Sequence, residues 1–341
     1  IARPTYPAYT KENIAVTKSE SIENGRTKIV FYQGESSKGT VVQNEIYVKD
    51  SKTGEWVLVK GRNEEFGFLM MSALKANFKS GGDTGSFVGV TVNTKDGEIE
   101  GSTDDFFKYG IGNWLVPNDF TKVSDTEMKL SFAPNEKVNF SATFAFDDLV
   151  DDPKVTIDAK FNEKGAYSFM LASGDGVEKE QFDTVTAPML HIKHNVPDSP
   201  VVLAECYLFT PMNTITLKAD NNIKTPGRDL TTGVVIDPTC VSQHYAFPDT
   251  SEFGATFYTT GGKVRPQMVA PMMGNDNANF EAGEELKFSF RVINRFEDWY
   301  DSYKHIAVDM FNCKDIRTNY YGSINEEIYN IRDLIMDDFY G

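Results

Sequence analysis

From Val138 to Phe146 the chain alternates. Val138, Phe140, Ala142, Phe144 and Phe146 are apolar, and Asn139, Ser141 and Thr143 between them are polar. Side chains reverse face at each step of an extended strand, so a period of two sorts the apolar groups onto one side. The pattern recurs at Val155, Ile157, Ala159 and Phe161, at Met128, Leu130 and Phe132, and at Leu286, Phe288, Phe290 and Val292. Each segment is expected to be a strand with one buried and one wetter face, as antiparallel sheets show.

Turn chemistry separates the strands. Residues 49–54, ending Lys52-Thr53-Gly54, lie between two apolar runs and predict a hairpin. Asp96-Gly97 offers a tight turn after 87–93, and Gly261-Gly262 joins 255–259 to 264–269. Strand patterns recur from about residue 13 to 293 with no long helical pattern between them. The expected fold is therefore mostly β, a large antiparallel β-sandwich over 1–294. The acidic stretch 147–153 suits either a division near 150 or a loop between two strands of one sheet. With 341 residues, of which 40% are apolar, the chain can bury a real core, and some of its 25 Phe must fill it.

The pattern changes near residue 295. Phe296, Trp299, Tyr300 and Tyr303 share a helix face, and the helix is expected to run on through His305 toward Met310. A second helix opens at Ser323, where Ser323 and Glu326 form an S-x-x-E capping box. Ile324, Ile328, Ile331 and Ile335 then line one face. Two C-terminal helices are thus expected over 295–341, the second with a stripe that needs a partner.

The formal charge of −16 repels phosphate backbones and anionic lipid, so nucleic acid is not an expected partner. No apolar run is long enough to span a membrane. Cys206, Cys240 and Cys313 lack CxxC spacing and read as small buried apolar groups. The chain opens at Ile1 with no leader pattern, which fits a trimmed or processed chain.

Residues that carry chemistry are sparse. His191 and His194 are three apart, a poor chelate in a strand, and His244 stands alone. Residues 275–279, and Asp147, Asp148, Asp151 and Asp152, offer oxygens for a structural calcium, but solvated turns are the simpler reading and no cofactor is expected. No phosphate loop, dinucleotide fingerprint or nucleophile elbow occurs, and sequence cannot choose a catalytic pair from 50 carboxylates. Trp114, in the run Gly110-Ile111-Gly112-Asn113-Trp114, and Trp299, with Asp298, Arg317 and Asn319 nearby in sequence, can stack on a sugar or pack a junction.

Residues 268–341 carry a resemblance. Met272-Met273-Gly274-Asn275 precedes Ala282-Gly283-Glu284 and a Phe-rich strand ending Phe290-Arg291. Trp299, His305-Ile306-Ala307, Asp315-Ile316-Arg317-Thr318-Asn319 and Ser323-Ile324-Asn325 follow, then Asn330 and Met336-Asp337-Asp338. This run resembles the N-terminal portion of six-hairpin glycosidase-type proteins of gut Bacteroidetes. The resemblance implies a galactose-mutarotase-like supersandwich, linker helices over 295–341, and then an (α/α) toroid that holds most of the active site and is missing from this chain. It implies an oligo- or polysaccharide partner and an exported, periplasmic protein. It assigns no catalytic residue here. Trp299, His305, Arg317 and Asn319 match its motif as sugar-contacting or junction positions. Two other functions fit the same sequence: a stand-alone glycan-binding module, and a mutarotase-like sugar epimerase using a His and a carboxylate.

Overall fold

A computed structural model of the chain describes residues 7–73, 75–76, 78–79, 89–93, 98–101, 111–187, 196, 202–204, 211–242, 251–258, 263–272, 276–313 and 323–339. The chain is mostly β, with three antiparallel sheets and two C-terminal helices. A small mixed sheet adds the short strands Lys75–Ala76, Phe78–Lys79, Gly89–Asn93 and Glu98–Gly101.

The largest sheet has eight strands. In spatial order they are Pro117–Ser124, Glu127–Phe132, Val138–Ala145, Lys154–Phe161, Glu285–Arg295, Leu230–Ile236, Met212–Leu217 and Thr184–Thr186. Two runs of neighbours meet in its middle: the strands up to Phe161 follow chain order, and Glu285–Arg295 is inserted between Lys154–Phe161 and Leu230–Ile236. Residues 147–153 connect Val138–Ala145 to Lys154–Phe161, which pair over their full length. Facing this sheet is a seven-stranded one built on Phe66–Ala73 and Gly165–Ser173, with Ile111–Leu115 at one side and Val264–Ala270, Gly254–Tyr258 and Leu203–Ala204 at the other.

The alternation explains the packing. Phe140, Ala142 and Phe144 are buried from Val138–Ala145, and Val155, Ile157, Ala159 and Phe161 from Lys154–Phe161. They meet Phe68, Phe169 and Leu171 of the facing sheet in one core cluster. Aromatic rings dominate: Phe140 contacts Phe68 at 5.1 Å and Phe132 at 4.8 Å, both edge to face, and stacks on Phe169 at 5.4 Å.

An N-terminal meander closes one end. Ala15–Glu23, Thr27–Ser36, Gly39–Lys49 and Trp56–Lys60 pair in that order. The predicted turn joins the last two: Asp50 Oδ1 accepts from Lys52 N at 2.8 Å, and Gly54 donates to the Asp50 carbonyl at 2.7 Å. Gly54 has φ +75°, which suits glycine there. The inner face of the meander drives Phe31 between both large sheets, with ring centroids 5.4 Å from Phe144, 6.1 Å from Phe120 and 6.2 Å from Phe66.

The strand Glu285–Arg295 departs from the expected pattern. From Phe288 onward every residue is buried, so no face is wet. Its outer face lies beneath the helical segment, where Ile293 joins Val150, Met212, Val235, Ile306 and Met310 in a second, small core. The first helix, Trp299–Lys304, continues as a wider turn through His305–Met310. Its buried face is Ser302, Ile306 and Met310, not the aromatic one, since Tyr300 and Tyr303 are exposed. The aliphatic patch beneath it favours Ile and Met over phenol rings.

The second helix, Ile324–Leu334, begins at Ser323 as expected, with Ser323 Oγ accepting from Glu326 N at 3.3 Å. The Glu326 carboxylate takes the Ser323 hydroxyl at 3.1 Å, where a full capping box would bring it to the backbone N–H. Ile324, Ile328, Ile331 and Ile335 are all exposed.

Candidate functional site

The sandwich and the first helix meet at a buried ionic network. Asp152 follows the outer loop 147–151 and is completely buried. One carboxylate oxygen accepts from Arg26 Nη2 at 3.0 Å. The other accepts from Arg295 Nη1 at 3.2 Å and from His305 Nε2 at 2.6 Å. Asp151 takes the outward sides of the same cations, 2.9 Å from Arg26 Nε and 2.8 Å from Arg295 Nη1. His305 Nδ1 meets Asp309 Oδ2 at 2.9 Å, one turn along its own helix. Three distant segments thus converge on one carboxylate: the turn before Thr27–Ser36, the end of Glu285–Arg295, and the helix.

Beside it sits a second network around Arg291, which is also completely buried. Arg291 Nε donates to Asp237 Oδ2 at 2.6 Å, Nη2 to Asp147 Oδ2 at 2.6 Å, and Nη1 to the Asp152 carbonyl at 3.0 Å. Asp237 is buried as well and caps the turn Pro238–Cys240 by accepting from Thr239 N at 3.0 Å. Fork-shaped guanidinium groups satisfy several acceptors at once, which is why arginine serves here and lysine would not.

This arrangement bears on metal binding. Asp151, Asp152 and His305 bring their ligand atoms within 4.8 Å of one another. Two guanidinium groups already occupy those carboxylates, and they repel a cation. The same holds for the calcium reading of the acidic loop: Asp147, Asp151 and Asp152 are bound to arginines. The site is electrostatic glue between elements.

Its strength depends on pH. Burial raises the Asp152 carboxyl, but the hydrogen bond from His305 and the charges of Arg26 and Arg295 outweigh that and bring it down to about 2. Burial pulls His305 down, yet the Asp152 hydrogen bond and charge leave it net above 6.5. A depressed carboxyl contributes stability above its unfolded value, 3.8, and loses it as pH falls toward about 2. A raised histidine contributes fully below 6.5 and loses that contribution as pH rises through its folded value. The junction is therefore expected to hold best between 3.8 and 6.5. Amide exchange over 299–310 should quicken, relative to the core strands, as pH rises past neutral after correction for intrinsic rates. His305→Gln should flatten that dependence. An unchanged profile in the variant would count against the assignment.

An open groove of about 590 Å³ runs along the same junction. The turn 50–53 forms one wall, Gly227, Arg228 and Asp229 a second, and Phe296, Glu297, Asp298 and Asp301 the third. Arg228 is fixed across it, with Nε 2.7 Å from Asp50 Oδ2 and its guanidinium 5.8 Å from the Phe296 ring. That bond holds the Asp50 carboxyl below the usual carboxylate range. Asp229 is held by Ala219 N at 2.8 Å and Lys218 Nζ at 3.0 Å. Asp298 is committed to capping the helix, accepting from Tyr300 N and Asp301 N at 2.9 and 3.0 Å. Glu297 pairs with Arg295 at 2.9 Å, tying the groove to the buried network. The groove thus offers ordered carboxylates, one guanidinium and one aromatic ring, a set that suits neutral polyhydroxylated ligands.

A further charged cluster lies at the other end of the meander. Lys60 is buried and donates to the carbonyls of Asn44, Gly61 and Glu64 at 2.9, 3.1 and 3.4 Å. Burial pulls it down to about 7. Three carbonyl acceptors use all the hydrogens of an ammonium, so its role is to tie the strand end down.

The sequence candidates fall in different places. Trp114 lies on Ile111–Leu115, half-buried; Nε1 donates to the Pro7 carbonyl at 3.2 Å and its ring meets Tyr9 edge-on at 4.9 Å. The N-terminal segment packs over it. Trp299 opens the first helix, half-buried, 5.5 Å from the Tyr300 ring. His305 belongs to the ionic network and does not line the groove. Arg317, Asn319, His191, His194, His244 and Cys206 lie outside the described residues. Cys240 and Cys313 are free; Cys240 is half-buried and Cys313 exposed, against the expectation of burial. Sequence reading missed Arg26, Asp237, Arg291 and Arg295. Arg291 and Arg295 carried a signal, as arginines on a strand largely apolar from Phe288 onward; Arg26, in a turn, and Asp237, at a strand end, carried none.

No family model matches the chain, and no curated protein does. Among solved structures, the Slr1438 protein from Synechocystis sp. PCC 6803 superposes with TM-score 0.42 at 9% identity, covering 86% of this chain and all of that one. A polysaccharide lyase superposes with TM-score 0.35 at 7% identity, covering 89% of this chain and 35% of that one. At these scores neither likeness bears on what the chain does.

Proposed function

We propose that the chain is the accessory β-sandwich of a carbohydrate-active enzyme, a glycoside hydrolase acting on complex polysaccharide, and that the junction groove contacts the glycan. The observation that carries this reading is the groove itself. Its ordered carboxylates, with Arg228 and the Phe296 ring, sit where sandwich and helix are welded by Asp152 and His305. Hydroxyl-rich ligands need such acceptors together with an apolar surface for their C–H faces.

The resemblance of 268–341 to six-hairpin glycosidase-type proteins supports the same reading. On it, residues 1–294 are the sandwich, 295–341 are a linker, catalysis belongs to a helical toroid, and the protein is exported to the periplasm. The sandwich then presents substrate and is not itself the catalyst. The epimerase alternative needs a histidine facing a sugar. The one histidine among the described residues, His305, is held between Asp152 and Asp309. A stand-alone glycan module would bind glycan equally well but gives no reason for the weld.

Hydrogen–deuterium exchange with and without a panel of neutral oligosaccharides tests the groove. Slowed exchange at 50–53, 219–229 and 296–301 is expected. Asp301→Ala, which removes a groove carboxylate outside the weld, should abolish it. No protection of these segments by any oligosaccharide would sink the reading.

A further inference from the structure

The outer face of the N-terminal meander carries a second set of aromatic groups. Tyr32 lies on Thr27–Ser36, Tyr47 on Gly39–Lys49 and Trp56 on Trp56–Lys60, three successive strands. Register sets them in a row on one face: Tyr32 pairs with Gln43, Lys28 with Tyr47, and Lys49 with Trp56. All three rings are half-exposed and line one shallow groove of about 450 Å³. Tyr32 lies level with Gln43 and Trp56 level with Lys49, six residues further along the same strand, so the outer rings are about 20 Å apart, the reach of an oligosaccharide.

Their polar ends are organised. The hydroxyls of Tyr32 and Tyr47 both donate to Glu45 Oε2, each at 2.7 Å. Burial and the Glu45 bond push the Tyr47 phenol up to about 12 and raise Tyr32 further, so both remain protonated donors at ordinary pH. Among the described residues no hydrogen bond reaches Glu45 Oε1, which can accept. Cations brace the rim: Lys49 Nζ lies 5.7 Å from the Trp56 ring and the Arg62 guanidinium 5.4 Å from Tyr32.

Such a surface has a purpose to explain. A meander needs only its inner face, with Phe31, to close the sandwich. Outer positions of a solvated sheet carry charges more cheaply than three aromatic rings. The order of the phenols rules out casual exposure, because two side chains are pinned to one carboxylate. The charge balance selects the ligand. Lys28, Lys49 and Arg62 are matched by Glu20, Glu23 and Glu45, with Lys28 3.8 Å from Glu23, so the face has no net positive charge with which to hold a polyanion.

We infer that Tyr32, Tyr47 and Trp56, with Glu45, form a binding platform for a neutral oligosaccharide, separate from the junction groove. Sugar rings stack on the aromatic faces while their hydroxyls donate to Glu45 Oε1 and meet the phenol oxygens. This deepens the carbohydrate reading above and rests on it for the class of ligand.

Affinity electrophoresis of the intact chain tests it. Gels would contain β-glucan, xyloglucan or galactomannan, with polygalacturonate in parallel. At least one neutral polysaccharide should retard the chain. Tyr47→Ala and Trp56→Ala should each weaken that binding about tenfold or more without lowering the melting temperature, and Tyr47→Phe less. The two platform variants should weaken binding by the same factor in an Asp301→Ala background, since the platform and the junction groove are separate. The inference falls if no neutral polysaccharide retards the chain, if polygalacturonate does so more strongly, or if both alanine variants bind like the parent. Binding lost in Asp301→Ala but kept in the platform variants would overturn the platform and leave the junction reading standing.

Discussion

Asp152→Ala is expected to cost about 3–5 kcal/mol, the range for breaking a buried ion pair from one side. The carboxylate is fully enclosed and is the common acceptor for Arg26, Arg295 and His305. Its removal leaves two guanidinium groups and an imidazole crowded together with only Asp151, Glu297 and Asp309 on the outer side. Denaturant unfolding reads the loss. Limited proteolysis should locate it, because the helix Trp299–Lys304 and its continuation are held from below by Ile306 and Met310 and from the side by His305. Cleavage within 299–313 should appear well before cleavage of the sandwich strands. A change within about 0.5 kcal/mol, typical of surface substitutions, would mean the network is ornamental.

Arg291→Met should have a comparable effect by a different route. Here the loss strands Asp237 Oδ2 in a closed environment, while Lys154 at 3.3 Å and the Thr239 N–H and hydroxyl all remain on Oδ1. The Asp152 carbonyl and Asp147 Oδ2 lose the Arg291 donor too. About 3 kcal/mol or more is expected. Adding Asp237→Asn should recover part of it, since the uncompensated charge is then gone while Asn still caps Pro238–Cys240. Strict additivity of the two substitutions would show that the pair is not coupled, and the buried bridge would then have no energetic standing.

Alternation made the sandwich legible, and it did so one face at a time. Val138–Ala145 and Lys154–Phe161 follow the pattern closely, with alternate apolar positions inside and their polar ones at the surface or half-exposed. Glu285–Arg295 has the same inner-face spacing at Leu286, Phe288 and Phe290, but Ser289, Arg291 and Ile293 on its back are buried as well. What covers them comes from residues 26, 147–152, 237 and 305, and no local pattern records that meeting. The helix after it shows the converse. Two stripes overlap at 296–310, one aromatic and one made of Ser302, Ile306 and Met310, and only the shape of the underlying patch selects the second. For the platform, Tyr32, Tyr47 and Trp56 stand fifteen and nine residues apart. The strand register that aligns them depends on hairpin turns, of which only the one at 49–54 was readable.

The order of strands in the eight-stranded sheet has a consequence for synthesis. Glu285–Arg295 lies in the middle, yet it is the last strand of that sheet to leave the ribosome. Until it arrives, Lys154–Phe161 and Leu230–Ile236 face each other across an empty slot, each with an unpaired edge. The strands 117–161 can assemble as a meander early, because every one of their pairings is local. The remainder must wait for a segment more than a hundred residues downstream of Phe161 to enter between two waiting edges. Arg291 and Arg295 travel in with that segment, so the ionic weld to the helix forms only as the sheet closes.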